Sequence, residues 1–178
     1  MPSILIVTGP MAAGKSTVAQ ALAERLPKSV HLRGDMFRRM IVGGRVEKTP
    51  DAAPEAIRQL ELRYGLGAAV AGSYAEAGFT VVYQDIILGD HLRKVVALLR
   101  ARDPGVVVLS PPPGVTAARD RARSKTAYGQ WTPGGLDAVM RAETPRMGLW
   151  IDNSTLSVDR TVDFILEHSP RTREGVSA

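Results

Sequence analysis

The chain contains no cysteine. Disulfide frameworks, thiolate zinc sites, iron–sulfur clusters and cysteine nucleophiles are excluded together. Aromatic residues make up only 5%, so there is little from which to build a stacking platform for single-stranded nucleic acid. No apolar run approaches the ~20 residues that cross a bilayer. The first apolar run, Ile4–Val7, is too short for a signal peptide, and Lys15 follows rather than precedes it. A cytoplasmic protein without a membrane partner is expected. Acid is also in deficit: 18 Asp and Glu stand against 23 Lys and Arg, for a net charge of +5. Such a balance favours anionic partners, among them nucleotides, phosphorylated compounds and nucleic acid.

What is present is an ordinary globular composition, 44% apolar and 23% charged, over 178 residues. A domain of that length buries roughly 70% of its unfolded surface and needs no metal or disulfide to hold it. One domain over 1–168 is expected, with a polar, frayed tail at 169–178. Short β-rich runs alternate with helical spacing. Strands are expected at Ser3–Thr8, Ser29–Leu32, Phe79–Tyr83, Val106–Leu109 and Gly148–Ile151. Between them, helices are expected over Lys15–Leu26, Met36–Ile41, Thr49–Ala77, His91–Arg102, Val115–Lys125, Leu136–Glu143 and Val158–His168. In the long third helix, Ile57, Leu60, Tyr64, Ala68, Ala71 and Ala75 form the apolar stripe, while Gly65, Gly67 and Gly72 predict a kink or close packing. Tyr128–Gly135 reads as a Gly/Pro loop. Five strands alternating with helices predict an α/β fold: a five-stranded parallel sheet flanked by helices in three layers.

Gly9-Pro10-Met11-Ala12-Ala13-Gly14-Lys15-Ser16 matches the phosphate-loop pattern G-x-x-x-x-G-K-[ST] in full. Its glycines let successive N–H groups point at phosphate oxygens, and the helix that follows adds the positive end of its dipole. Lys15 is the residue that reaches the β- and γ-phosphates, and the Ser16 hydroxyl is a Mg²⁺ ligand. With Thr17, these residues form the expected nucleotide site, which predicts ATP and Mg²⁺ as cofactors. An apolar strand before the motif and an amphipathic helix after it supply the right setting.

Three further groups fall where such a site would need them. Asp85 ends the apolar run FTVVYQD. An acid at the end of a neighbouring strand can hold Mg²⁺, or it can simply cap a loop. Asp35 follows the second strand, and ligands of open parallel sheets lie beyond the carboxyl ends of strands. There it can accept a proton from a substrate hydroxyl, act as a helix N-cap, or do both. Arg119 and Arg123 are spaced i, i+4 in the basic run Arg119–Lys125, inside a lid segment expected at about 115–135. Arg119, Arg123 and Lys125 can close over a triphosphate, or lie on a solvated basic face. Arg38, Arg63 and Tyr64 are candidate acceptor contacts. His31, His91 and His168 share no ligand spacing. Trp131 and Tyr128 either cover a ligand or pack locally.

The order of these elements resembles the small phosphate-loop kinases. It is similar to shikimate and gluconate kinases and, more closely, to the chloramphenicol phosphotransferase-like family. The likeness rests on the phosphate loop, on a GDxxxxxM-like element at Gly34–Met40, on a helix leading through Ala77–Gly78 into an apolar strand, and on the acid followed by Ile86–Ile87–Leu88–Gly89. It spans roughly residues 3–168. The resemblance implies that Asp35 is the general base and that Arg119 and Arg123 are lid arginines. Gln84 departs from the family, which has a second acid there. A small hydroxylated acceptor is implied, either an antibiotic or a sugar-like metabolite. Arg38, Arg39, Arg45 and Arg63 leave open a nucleoside or nucleotide acceptor. A nucleotide-dependent regulatory or RNA-binding module is the remaining alternative, and the scarcity of aromatics weighs against it.

Overall fold

A computed structural model of the chain describes residues 2–122, 130–168 and 176–177. The strands are β1 (Ile4–Thr8), β2 (Ser29–Arg33), β3 (Thr80–Gln84), β4 (Gly105–Leu109), β5 (Leu149–Ile151) and β6 (Val176–Ser177). The helices are α1 (Lys15–Glu24), α2 (Asp35–Arg39), α3 (Pro54–Glu76), α4 (His91–Leu99), α5 (Pro113–Arg121), α6 (Pro133–Ala138) and α7 (Val158–His168). All strand pairings are parallel, in the order β2-β3-β1-β4-β5-β6. The five expected strands are present. The sixth, two residues long, lies in the tail that was expected to fray, where it pairs with β5.

Why these runs become central strands follows from burial. Every residue of β1 and β4 is buried, which demands apolar side chains on both faces, as helix-covered parallel sheets require. Successive side chains alternate between two cores. Ile4, Ile6, Val81, Tyr83, Val106 and Val108 face the layer that holds α3 and α4. Leu5, Val7, Val82, Val107 and Leu109 face the layer of α1 and α7. Among the described residues, no helix is long and apolar enough to cross a membrane.

Helix α3 runs unbroken for 23 residues. Its glycines serve packing rather than a kink. A Cβ on Gly67 would land on the hydroxyl of Tyr83, which is fully buried and cannot swing away, whereas a Cβ on Gly65 meets nothing within 4 Å. Gly67→Ala should therefore cost ~1–3 kcal/mol by overpacking, despite the ~1 kcal/mol that alanine gains in a helix. Gly65→Ala should be neutral or stabilising. Urea midpoints of the two variants check this; equal midpoints would contradict it. The buried stripe also differs from expectation. Ala56, Tyr64, Gly67, Ala68, Ala71 and Gly72 are buried, while Ile57 is exposed. The small residues bring the helix so close to the sheet that the buried face shifts toward them.

The segment expected as a loop at Tyr128–Gly135 is helical from Pro133 onward. Thr132 caps it, its Oγ1 accepting from the Gly135 N–H at 3.0 Å, and Pro133 fits the first turn, where no N–H is needed. Residues 123–129 of the expected lid, with Arg123, Lys125 and Tyr128, lie outside the described residues.

Candidate active site

The carboxyl ends of β1, β2 and β3 converge on one cleft of about 1020 Å³. The phosphate loop forms its floor. Gly9 (φ 141°), Ala12 (φ 57°) and Gly14 (φ 92°) hold the loop open in backbone conformations that a run of ordinary residues avoids. Gly9 also lies so close to the Leu109 carbonyl that a side chain there would overlap it. Lys15 is buried, and its Nζ donates across the loop to the Pro10 carbonyl at 2.6 Å. Helix α1 starts at Lys15 with no side-chain cap, so its first N–H groups and dipole are directed at the loop. These features fit a phosphate chain.

On the far side of the loop, Asn153 donates from Nδ2 to the Ala13 carbonyl at 3.0 Å. Arg119 donates to the same carbonyl at 3.4 Å and to the Asn153 carbonyl at 2.9 Å. Arg119 thus reaches the backbone of the phosphate loop. Gly14, Thr17, Arg119 and Asn153 line a smaller pocket of about 370 Å³. The Asn153 Oδ1 is buried without a hydrogen-bond partner among the described residues, an acceptor suited to an amine donor.

Beside Lys15, the Ser16 hydroxyl donates to Gln84 Oε1 at 3.3 Å. Asp85 is arranged otherwise than a free metal ligand would be. Its carboxylate is 1% exposed and is gripped through both oxygens by Arg63, with Nε to Oδ2 at 2.8 Å. The Ile86 N–H adds a bond to Oδ1 at 2.7 Å. Asp85 is therefore the counter-ion of Arg63, and Gln84 is the strand-end residue that accepts from the Ser16 hydroxyl. Burial pushes the Asp85 carboxyl upward, Arg63, Ile86 and Lys15 pull it back, and the net displacement is upward. Gly34 makes the approach of the second loop possible, since a Cβ there would fall on the Asp85 carboxylate.

Asp35, at the start of α2, also lines the cleft. Its Oδ1 accepts from Arg38 Nε at 2.9 Å and its Oδ2 from Arg39 Nε at 2.6 Å. Arg63 Nη1 lies 4.0 Å away. One guanidinium therefore bridges the two carboxylates. Burial acts to raise the Asp35 carboxyl, but the hydrogen bonds and charges of Arg38, Arg39 and Arg63 outweigh it and hold it below its ordinary value. Asp35 is the first residue of α2 and the acid of its first turn, and Gly34 occupies the N-cap position. Arg38 also pairs with Glu47. Tyr64 is a wall residue: its hydroxyl donates to the Ile86 carbonyl at 2.6 Å, and its ring lies 5.5 Å from that of His91. Burial pushes the Tyr64 phenol well up, so it stays protonated.

Sequence reasoning missed several lining residues. Trp131, left between two roles, lines the cleft and donates from Nε1 to the Lys48 carbonyl at 3.0 Å. Asn153 carried one signal, a polar residue just beyond the carboxyl end of a strand. Lys48, His91 and Phe37 carried none that separated them from surface or core.

A family model for an AAA domain matches residues 4–140. The chain belongs to this AAA-domain family. The likeness to solved structures extends over nearly the whole chain. A sugar kinase from a Janibacter species superposes with a TM-score of 0.70 at 17% identity, covering 93% of each chain. The tunicamycin resistance protein of Deinococcus radiodurans gives 0.64 at 18%, covering 99% of this chain and 100% of that one. The APS kinase of Mycobacterium tuberculosis, in complex with AMPPNP and APS, gives 0.67 at 21%, covering 93% and 96%. No curated protein matches the sequence significantly. This member of the family therefore carries the fold of small-molecule P-loop kinases around a nucleotide-binding loop.

Proposed function

We propose that the protein is an ATP- and Mg²⁺-dependent phosphotransferase acting on a hydroxyl group of a small molecule in the cytoplasm. One observation carries the reading: Lys15, Ser16 and Asp35 line a single cleft, so a carboxylate base and a phosphate cradle face one volume. ATP bound at Gly9–Thr17 supplies the γ-phosphoryl group. Lys15 neutralises charge on the phosphates, and Ser16 is the residue that would hold Mg²⁺. Arg119 and Asn153 brace the Ala13 carbonyl of the loop, and the pocket beside them suits the nucleotide base. Arg123 and Lys125 are proposed as further lid contacts. Asp35 orients the acceptor hydroxyl and takes its proton. The oxygen–phosphorus bond forms as the bond to the β–γ bridging oxygen breaks, and ADP leaves. Arg63 and Tyr64 shape the acceptor side, and Asp85 holds Arg63. Antibiotic modification, as the likeness to a tunicamycin resistance protein suggests, is one setting for this chemistry. Arg38, Arg39 and Arg63 are each matched to a carboxylate, which weakens the case for a nucleotide acceptor.

The test is MgATP turnover screened against hydroxylated antibiotics, sugars, nucleosides and nucleotides, with the product weighed. Acceptor-dependent turnover with a mass gain of one phosphoryl group supports the reading. Lys15→Ala should abolish that turnover and weaken nucleotide binding by about tenfold or more, equivalent to ~1.4 kcal/mol. Tight nucleotide binding with no stimulation by any compound would favour a regulatory module.

A further inference from the structure

The acceptor side of the cleft has an unusual wall. Met40 (70% exposed), Leu62 (55%), Leu66 (42%) and Val46 (36%) all line it. Phe37 and Trp131 continue the same surface inward, packed against the core. Large apolar side chains left in water along one continuous surface mark a binding groove rather than ordinary scatter. These side chains come from α2, from the segment between α2 and α3, and from the exposed side of α3, with Trp131 fixed opposite by its bond to the Lys48 carbonyl.

The polar groups around Asp35 point the same way. Arg38 bonds Asp35 and Glu47, Arg39 bonds Asp35, and Arg63 holds Asp85. Gln59 is committed to Gly44, Val46 and Glu55, and the Tyr64 hydroxyl to Ile86. A sugar or sugar acid brings many hydroxyls, and each one buried without a partner costs ~1–3 kcal/mol. These protein side chains are thus engaged with one another, and among the described lining residues the one buried side-chain atom without a hydrogen-bond partner is His91 Nδ1. A molecule with one reactive hydroxyl and an apolar body meets no such penalty and gains from the exposed wall. The volume, near the upper end of small-molecule sites at ~1,000 Å³, leaves room for such a body.

We propose that the acceptor is a lipophilic alcohol, its hydroxyl at Asp35 and its hydrocarbon or aryl body laid along Phe37, Met40, Val46, Leu62, Leu66 and Trp131. This rests on the phosphotransferase reading for the word acceptor, but not for the binding surface.

Titration calorimetry on the full chain with MgADP present, using 1-butanol, 1-hexanol and 1-octanol against D-gluconate, D-glucose and cytidine, tests it. Each added methylene should tighten binding about fourfold, the ratio that corresponds to ~0.8 kcal/mol per buried CH₂, with a negative heat-capacity change. Leu62 and Leu66 are exposed, so Leu62→Ser and Leu66→Ser should fold and should flatten the series. The proposal is overturned if 1-octanol gives no saturable heat, if affinity is independent of chain length, or if gluconate, glucose or cytidine binds as tightly as 1-octanol. It also falls if the protein forms a concentration-dependent dimer that excludes the alcohols, since the wall is then a protein interface. MgATP turnover on the same compounds separates the two readings. Transfer to a sugar and not to the alcohols keeps the kinase and removes the lipophilic acceptor. Chain-length-dependent binding without transfer to any alcohol in a homologous series of aliphatic and aryl alcohols keeps the surface and removes the kinase.

Discussion

Replacing Asp35 with asparagine should lower acceptor-dependent phosphoryl transfer by about 10²-fold or more, the range that positioned proton acceptors contribute, while nucleotide affinity is unchanged. The substitution keeps the size of the side chain and removes its charge and basicity. One of the two arginines keeps the single amide oxygen as acceptor, and the exposed Arg39 can turn to solvent rather than face the amide N–H, so the end of the cleft should not collapse. A loss confined to kcat would place Asp35 in the transfer step. Unchanged turnover would remove it from the chemistry and leave it as a structural partner of two arginines.

The surroundings of Asp35 also set the pH dependence. Burial alone would raise its carboxyl, but Arg38, Arg39 and Arg63 hold it below its ordinary value of 3.8. The group is therefore ionised throughout the neutral and mildly acidic range, and kcat/KM should show no acid limb from Asp35 above that value. By the same sign, what Asp35 contributes to folding is present above its unfolded value and is lost only as pH falls through the lower folded one. Burial and the charges of Lys48 and Lys94 push His91 below its ordinary 6.5. An acid limb in place of a flat profile, lying below 6.5 and above 3.8, would transfer the role of base to His91, which lines the same cleft. A weak base suits this chemistry, because in a loose phosphoryl-transfer transition state the hydroxyl becomes acidic only late.

The phosphate loop and the parallel sheet were legible because both are written locally. Gly9 to Ser16 is a contiguous motif, and the buried strands show themselves as short apolar runs. Asp35 was legible for the same reason, since a strand end followed by a helix start is a local signal. Asp85 was only half legible. Its place at the end of β3 could be read, but its partner Arg63 stands 22 residues away on α3, and no local pattern reveals that an acid has been neutralised by a distant guanidinium. The apolar wall was hidden by the opposite effect. Leu62 and Leu66 fall outside the apolar stripe read for α3, and only the packing of small residues onto the sheet shows that they are turned to the cleft. Trp131 and Asn153 come from loops, where spacing carries no information about direction.

Arg63→Met should destabilise the protein by ~3–5 kcal/mol, the cost of leaving one member of a buried ion pair without its partner. Arg63 is 12% exposed and Asp85 1%, so water cannot replace the lost guanidinium. The methionine fills much of the same volume, which separates the electrostatic loss from a cavity. The penalty should depend on pH. The Asp85 carboxyl is already displaced upward by burial, and without Arg63 it rises further. A group whose folded value is raised contributes stability that is present below the unfolded value and is lost as pH rises through the folded one. The variant should therefore be closest to the parent in mild acid and furthest from it in the alkaline range. The double variant Arg63→Met/Asp85→Asn removes the buried charge altogether and should recover a large part of the loss at neutral pH. Urea unfolding of the three proteins at two pH values measures this. A single-variant loss below 1 kcal/mol, or a loss that the second substitution does not reduce, would mean that the Arg63–Asp85 pair does not hold the acceptor side of the cleft in place. The bridge from Asp85 through Arg63 to Asp35 would then have no energetic basis.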